Sequence, residues 1–532
     1  MPVPQSIESL RDALADPEVY PHDPNQVRLE QTHISIVALA PPRVYKIKKP
    51  VELGFLDFST LDKRRHYCEE EVRLNRRLCK DTYEAVVPIV DTDDGLRVDP
   101  EQVREADVVE YAVRMKYLDP DHFLHTKVKQ GDARAADIDR VASALCSFYA
   151  SRSSTAEVAE EGWIDRLRVS FDENFAQTAK HVGTALSRPA YEALRYYTDR
   201  FFDQNAALLH RRRAGGLIVD GHGDLRLEHV HLTDDHVCIY DCIEFNEELR
   251  HLDIANDIAF LAMDLDLHGR PALGRRLVAQ VAETMGDPEI DQLIDFYKCY
   301  RSYVRGKVEG IRARADEVPP RERLRSRMRA QRHYRWALRY AVAGTAPLVV
   351  VVFGRSGTGK STQAAALAKA LGWAHVASDP VRKTLAGVPL HERTDAAERS
   401  DLYSDQMTDR TYRTLQRRAV ERGQNLKGTV LDATYSDPER RDTLRTALRA
   451  ADLPYAFVEL TAPDAVLRER LATRDAASAT ASDARADDFD MLADRHQAPT
   501  ALEDPFHVRV DAADDPDATT LAILKALIRL NG

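Results

Sequence analysis

The run GRSGTGKS, residues 354–361, sets Gly354 and Gly359 around a four-residue gap and follows the second glycine with Lys360 and Ser361. This is the Gly-x4-Gly-Lys-Ser pattern of a P-loop, and its chemistry is the holding of a polyphosphate. Glycine lacks a Cβ, so the backbone N–H groups from Gly354 to Thr362, with Arg355, Ser356, Gly357 and Thr358 inside the turn, are free to curl around phosphate oxygens. Lys360 supplies a point charge to the β- and γ-phosphates and Ser361 a hydroxyl to Mg2+. The helix that begins there turns its positive end toward the same anion. The cofactors expected are ATP (or GTP) and Mg2+.

Downstream, VASDPVRKTLAG (376–387) sets Asp379 and Arg382 three apart. A strand ending near Ser378 brings Asp379 out at the carboxyl edge of a sheet, beside the γ-phosphate, where a carboxylate can take the proton of an acceptor hydroxyl. Arg382 then steadies the acceptor or the incoming phosphate. Asp379 before Pro380 equally suits the N-cap of a helix, and the two roles are compatible. GTVLDATY (428–435) reads as a second buried strand ending in Asp432, which serves a metal-bound water, an acceptor, or only the polar end of the strand. LRERLATR (467–474) puts Arg470 and Arg474 at i,i+4 on one helix face, ahead of the polar run DAASATASDARADD (475–488). Paired guanidiniums beside a lid can clamp a transferring phosphate; the alternative is a solvated helix face.

A second cluster lies upstream. HGDLRLEH (222–229) follows the protein-kinase pattern HRDxxxxN in variant form, with Asp224 where the proton acceptor stands and His229 where the metal-binding Asn stands. Asp241, ending the apolar strand in IYDCIEF, is a second candidate metal ligand. RVYKIKK (43–49) offers Lys46 to the phosphates, with Lys48 as the alternative. The helix CEEEVRLNRRL offers Glu71, ahead of Glu69 and Glu70, to pair with that lysine. The loop ALAPPRV (38–44) has no glycine, and imidazole at 229 favours softer metals than an amide oxygen does. HLDIANDIAFLA (251–262), with Asp253 and Asp257, resembles the GDPxxDLA segment of the aminoglycoside phosphotransferase family, which implies that Asp257 is a structural carboxylate for the loop backbone.

These residues need elements to carry them. LVVVVFG is a buried-strand run, and STQAAALAKAL after the P-loop is helix-forming. Beyond AGTAP (343–347), strands at 348–353, 428–433 and 454–460 alternate with helices at 360–371, 438–450 and 463–474, the order of a parallel sheet covered by helices. Before it, β-like runs at 35–40, 43–49 and 107–118 enclose a helix at 62–78, and the chain is mainly helical from 120. The fold class expected is therefore α/β and α+β multidomain: 1–119 a small antiparallel sheet lobe, 120–343 a helical lobe, and 347–532 a P-loop NTPase domain. A chain of 532 residues accommodates that many cores.

The net charge of −11 argues against a chain-wide nucleic-acid surface, while the Arg-rich segment 301–339 leaves room for a local basic patch beside the acceptor site. Six cysteines without CxxC or zinc spacing are expected as free thiols. The N-terminus lacks signal-peptide character, and no apolar run approaches the ~20 residues of a span. A cytoplasmic protein without a membrane partner is expected; its oligomeric state stays open.

Residues 347–530 resemble the small P-loop kinases, among them gluconate kinase, zeta toxins, chloramphenicol phosphotransferase and polynucleotide 5′-kinase. That resemblance implies phosphoryl transfer from ATP to a hydroxyl, with Asp379 activating the acceptor. Residues 30–300 resemble the aminoglycoside phosphotransferase family, which implies a protein-kinase-like bilobal fold acting as a second kinase or as a regulatory pseudokinase. The two-part arrangement resembles a bacterial group joining a phosphotransferase to an AAA-type ATPase. The acceptor expected is a small molecule or a nucleic-acid 5′-hydroxyl. An ATP-driven switch that docks a protein partner is the alternative.

Overall fold

Alternation within RVYKIK decides the first sheet. Tyr45 and Ile47 point to one side and pack with Leu10, Leu14, Ile36, Ala38, Val87 and Ile89. Val44 points to the other, among Cys68, Val72, Val113 and Met115. A strand buried on both faces must be covered twice, here by the helix Ile7–Leu14 and by α1 (Leu61–Asn75). The computed structural model describes residues 7–531 apart from 55, 94, 152–157, 317, 391–400, 426, 477–488, 495, 500–502 and 514. The polar run expected as a lid lies mostly outside the described residues.

The chain divides into two units, Met1–Arg166 with Ala206–Lys298, and Leu167–Asn205 with Cys299–Gly532. In the first, β1 (Arg28–Gln31), β2 (Ser35–Ala40), β3 (Arg43–Lys48), β4 (Tyr83–Thr92), β5 (Gly95–Val98) and β6 (Val108–Lys116) form one antiparallel sheet in the order β1-β2-β3-β6-β4-β5. The hairpin β4/β5 is absent from the sequence reading, since Pro88 in the middle of the run argues against a strand. Two small antiparallel pairs follow: β7 (Ile218–Asp220) with β10 (His251–Asp253), and β8 (Val230–Leu232) with β9 (Val237–Ile239). Helices α2 (Ala135–Ala150), α3 (Ile254–Leu267) and α4 (Pro271–Met285) pack around them, and α3 is buried along its whole length.

The segment after α1 is tied to the β9 region. Leu78 O accepts from Ile239 N (3.3 Å), Asn75 Oδ1 accepts from Cys242 N (2.8 Å), and Arg77 reaches Asp220 (2.8 Å). Cys79 and Cys238, 159 residues apart, form a disulfide with Cα atoms 4.5 Å apart. This corrects the expectation of six thiols outside any disulfide; Cys68, Cys146, Cys242 and Cys299 are buried and form none. No local spacing could announce a pair that only the docking of distant segments creates.

In the second unit the valines of β11 (Val349–Gly354) are fully buried at the centre of a five-stranded sheet. With β12 (Ala374–Ala377), β13 (Thr429–Asp432), β14 (Tyr455–Thr461) and β15 (His507–Asp511) it forms the parallel order β12-β13-β11-β14-β15. This is the P-loop sheet expected from the strand–helix alternation. Helices of this unit include α5 (Ile294–Arg312), which starts in the first unit, α6 (Pro320–Ala343), α7 (Lys360–Leu371), α8 (Ser378–Ala386), α9 (Asp405–Gln424), α10 (Pro438–Ala450), α11 (Asp464–Ala476) and α12 (Pro516–Asn531). Helix α6 packs on α7 and α12. This burial of Ala337, Leu338, Tyr340 and Ala341 groups Cys299–Ala343 with the P-loop sheet. Among the described residues no helix is long and apolar enough to cross a membrane.

Candidate functional site

The P-loop turn is a matter of space. A Cβ at Gly354 would lie 2.4 Å from Leu460 O on the neighbouring strand, and the backbone there has φ 140°. Gly357 and Gly359 take φ 87° and 86°, left-handed values that side chains resist. Gly359 stands at the N-cap of α7 without a side-chain cap, which leaves the first N–H groups of that helix for an anion. Lys360 Nζ donates to Arg355 O at 2.8 Å, folded back over the loop, and Thr358 Oγ1 donates to the same carbonyl at 2.8 Å. Arg355 pairs with Asp464 at 2.5 Å and lies 5.0 Å above the Phe489 ring. Ser361 and Thr362 are exposed in the first turn of α7.

Two strands deliver carboxylates to this edge. Asp432 ends β13 in register with Val352 of β11 and Ala377 of β12; it is buried, with His375 Nε2 at 3.3 Å. Asp379 follows β12 by two residues and is half-buried. Helix α8 begins at Ser378 with Ala377 in the N-cap position, so Asp379 belongs to the first turn, which corrects its reading as the cap. The oxygens of Ser361 and Asp432 are hard donors suited to Mg2+, which keeps several waters and takes only one or two protein ligands beside phosphate. No group of three or more His, Cys, Asp or Glu side chains among the described residues forms a metal cage.

Two of the arginines expected at this site hold nearby backbone. Arg382 is buried, donates to Leu402 O (3.0 Å) and Thr408 Oγ1 (2.9 Å), and stacks 4.6 Å from the Tyr403 ring. It braces the entry to α9. Arg470 donates to Ala512 O (2.7 Å) and Ala513 O (3.1 Å), holding the chain after β15. The side chain of Arg474 lies outside the described residues. Arg339, in the Arg-rich segment expected beside the acceptor, donates to Leu371 O and Gly372 O. Those carbonyls end α7, about 16 Å along the helix from Lys360.

Other residues near this edge escaped the sequence reading. Tyr412 OH lies 3.2 Å from Thr434 Oγ1 and accepts from Tyr435 N at 3.3 Å. Arg440 covers the Tyr412 ring at 5.0 Å and pairs with Asp409 at 2.8 Å. Burial, then the charges of Lys360, Arg441 and Arg355, push His496 down to about 4. None belongs to a recognisable spacing, because each comes from a different segment.

In the first unit, Lys46, Glu71, Asp241, His229 and Asp224 are brought together. Lys46 Nζ lies 2.7 Å from Glu71 Oε1 and 2.6 Å from Asp241 Oδ1. Lys48, the alternative lysine, takes the other oxygen of Glu71 at 2.8 Å and pairs with Glu244, fully buried. Sequence reasoning missed Glu244. Burial opposes the charge on Lys46, but Asp241 and Glu71 overcome it and hold the ammonium well above its ordinary pKa. Burial likewise opposes ionisation of Glu71, and the two lysines win, lowering it. Burial and the neighbouring Glu71 raise Glu244 despite Lys48. His229 Nδ1 is 2.8 Å from Asp224 O, and Nε2 is 3.4 Å from Asp241 Oδ2. Asp241 itself has φ 63°, a sparsely populated conformation for a residue with a side chain.

The loop bearing Asp224 is held from below. Asp257 accepts from His222 N (2.8 Å), Gly223 N (3.0 Å) and Tyr149 OH (2.9 Å), as its reading as a structural carboxylate requires. Asp224 N donates to His222 Nδ1 (3.3 Å), so the proton sits on Nε2, 3.0 Å from Tyr240 O. Burial lowers the pKa of this imidazole, in keeping with its neutral form.

Residues 349–499 match the family described as an AAA domain. The uncharacterized proteins Rv2004c of Mycobacterium tuberculosis and Mb2027c of Mycobacterium bovis are each 31% identical over 452 residues, covering 84% of this chain and 86% of their own. Among solved structures, a gluconokinase from Sinorhizobium meliloti 1021 is 24% identical, covering 35% of this chain and 94% of its own, with a TM-score of 0.26. A sugar kinase from Janibacter sp. HTCC2649 is 21% identical over 34% and 94%, with a TM-score of 0.25. With a match over most of both lengths, the chain belongs to the family of these mycobacterial proteins, and its own residues 349–499 form a P-loop domain of the AAA type on a five-stranded parallel sheet.

Proposed function

We propose that the protein is an ATP-dependent phosphotransferase whose P-loop domain moves the γ-phosphoryl group to a hydroxyl of a small molecule. The observation that carries this reading is the convergence on one sheet edge of the P-loop, the exposed Ser361 hydroxyl, the buried Asp432 and the half-buried Asp379. ATP binds with its phosphates on the amides of 354–362, and Lys360 leaves Arg355 O for the β/γ oxygens. Ser361 and, through water, Asp432 would hold Mg2+, which would supply charge neutralisation to the β- and γ-phosphates. Asp379 takes the proton of the acceptor oxygen as that oxygen attacks phosphorus. Arg382, through Leu402 O and Thr408 Oγ1, and Arg470, through Ala512 O and Ala513 O, position the segments that border the site.

The cluster of Lys46, Glu71, Asp241, His229 and Asp224 supports a second nucleotide site of protein-kinase type in the first unit, catalytic or regulatory. The Lys46–Glu71 pair is what favours it. The test is a screen of hydroxyl acceptors with γ-labelled ATP, run on the wild type, Lys360→Ala, Asp379→Asn and Asp224→Ala. Transfer is expected to vanish in Lys360→Ala and to fall about 10²–10⁴-fold in Asp379→Asn with ATP affinity kept. Transfer undiminished in Lys360→Ala overturns the assignment to the P-loop. Hydrolysis that answers only to a protein partner would instead favour the switch.

A further inference from the structure

Helix α6 carries eight arginines against one acidic residue, Glu322, in a chain whose net charge is −11. Its inner face buries Ser326, Ala330, Tyr334, Ala337 and Leu338. Arg321, Leu324, Arg325, Met328, Arg332 and Arg335 are left exposed. With 3.6 residues per turn these six fall in one stripe, about 21 Å long. Leu324, 60% exposed, and Met328, 63% exposed, are the two most exposed large apolar side chains among the described residues. Arg325 pairs with Glu322 at 2.6 Å, whereas Arg321 and Arg335 have no acidic partner among the described residues. Burial first, and then the charges of Arg335 and Arg332, push the neighbouring Arg339 down to about 10.

We propose that this stripe docks the protein on an anionic phospholipid surface, the arginines meeting lipid phosphates while Leu324 and Met328 enter the boundary between headgroups and acyl chains. Guanidinium binds phosphate bidentately, which accounts for the charge. Nucleic acid offers the same phosphates but takes aliphatic side chains only by unstacking its bases; a bilayer surface takes both without that cost. The expectation that the protein has no membrane partner rests on the lack of a span, which does not bear on adsorption of a helix face. Val308 (37%) and Ile311 (46%) of α5 add further exposed apolar surface.

The experiment is flotation of the full chain with phosphatidylcholine vesicles, either pure or with roughly one third phosphatidylglycerol. Binding is expected to the anionic vesicles only and to weaken as salt is raised. The pair Leu324→Ser/Met328→Ser is expected to weaken partitioning about tenfold at unchanged charge. The set Arg321→Gln/Arg325→Gln/Arg332→Gln/Arg335→Gln is expected to abolish it. All six positions are exposed, and an unchanged thermal melt checks that each variant is folded. No preference for anionic vesicles overturns the proposal. So does binding that the apolar pair leaves untouched and a single-stranded oligonucleotide displaces, which would make the stripe a nucleic-acid surface.

Discussion

At the scale of single residues, Gly354 and His496 of the P-loop domain each carry a prediction. A methyl group at 354 would meet Leu460 O at 2.4 Å on a central strand that cannot retreat. Gly354→Ala should cost about 2–4 kcal/mol of the stability of that unit, as read by denaturant unfolding. His496 ties the stability of the same region to pH. Its pKa, about 4 when folded, lies below the ordinary 6.5, so the unfolded chain binds the proton more readily. The stability this represents is complete above about pH 6.5 and is lost as pH falls from there toward 4. A melting curve taken at steps across that interval should fall with pH in the wild type and fall less in His496→Asn. The sequence marks Gly354 through its motif, whereas His496 is one histidine among eighteen.

At the scale of elements, position is set by buried ionic ties. Arg212, fully buried, holds Asp253 (2.6 and 2.7 Å) and Asp287 (both 2.8 Å). Asp253 caps α3 by accepting from Ala255 N at 2.8 Å, and α3 carries the Asp257 that grips the Asp224 loop. Removing one member of such a network leaves charges buried without a partner. Arg212→Ala should therefore cost about 3–5 kcal/mol, seen in the unfolding of the first unit. Arg212→Met with Asp253→Asn and Asp287→Asn should recover part of that loss, because no charge is then stranded. If Arg212→Ala proves as stable as the wild type, the tie is not what orders α3. Hydrophobic periodicity announces α3 as a helix, but nothing in the spacing of 212, 253 and 287 announces their meeting.

At the scale of the whole molecule, two units with separate cores should respond separately to ligand. ATP with Mg2+ at a hundredfold excess over its dissociation constant should stabilise the P-loop unit by about 2.7 kcal/mol. In calorimetry this appears as one transition moving upward, and Lys360→Ala should abolish the shift. A second transition that moves with ATP in Lys360→Ala but not in Lys46→Met would establish nucleotide binding by the first unit. A second transition indifferent to ATP in both would remove that site from the reading.

What the sequence by itself determined is contiguous: the strand of valines, the glycine turn, Lys360 and Ser361, and the helix behind them occupy residues 349–371. A turn of that kind is a local backbone property, dictated by which residues tolerate left-handed angles and close approach, so a short string is enough to specify it. Tertiary structure alone decided that Lys46 meets Asp241 across 195 residues, that Cys79 meets Cys238, and that Arg382 and Arg470 hold backbone carbonyls. Those contacts depend on how distant elements pack, and a side chain's nearest neighbours in space leave no trace in its neighbours along the chain.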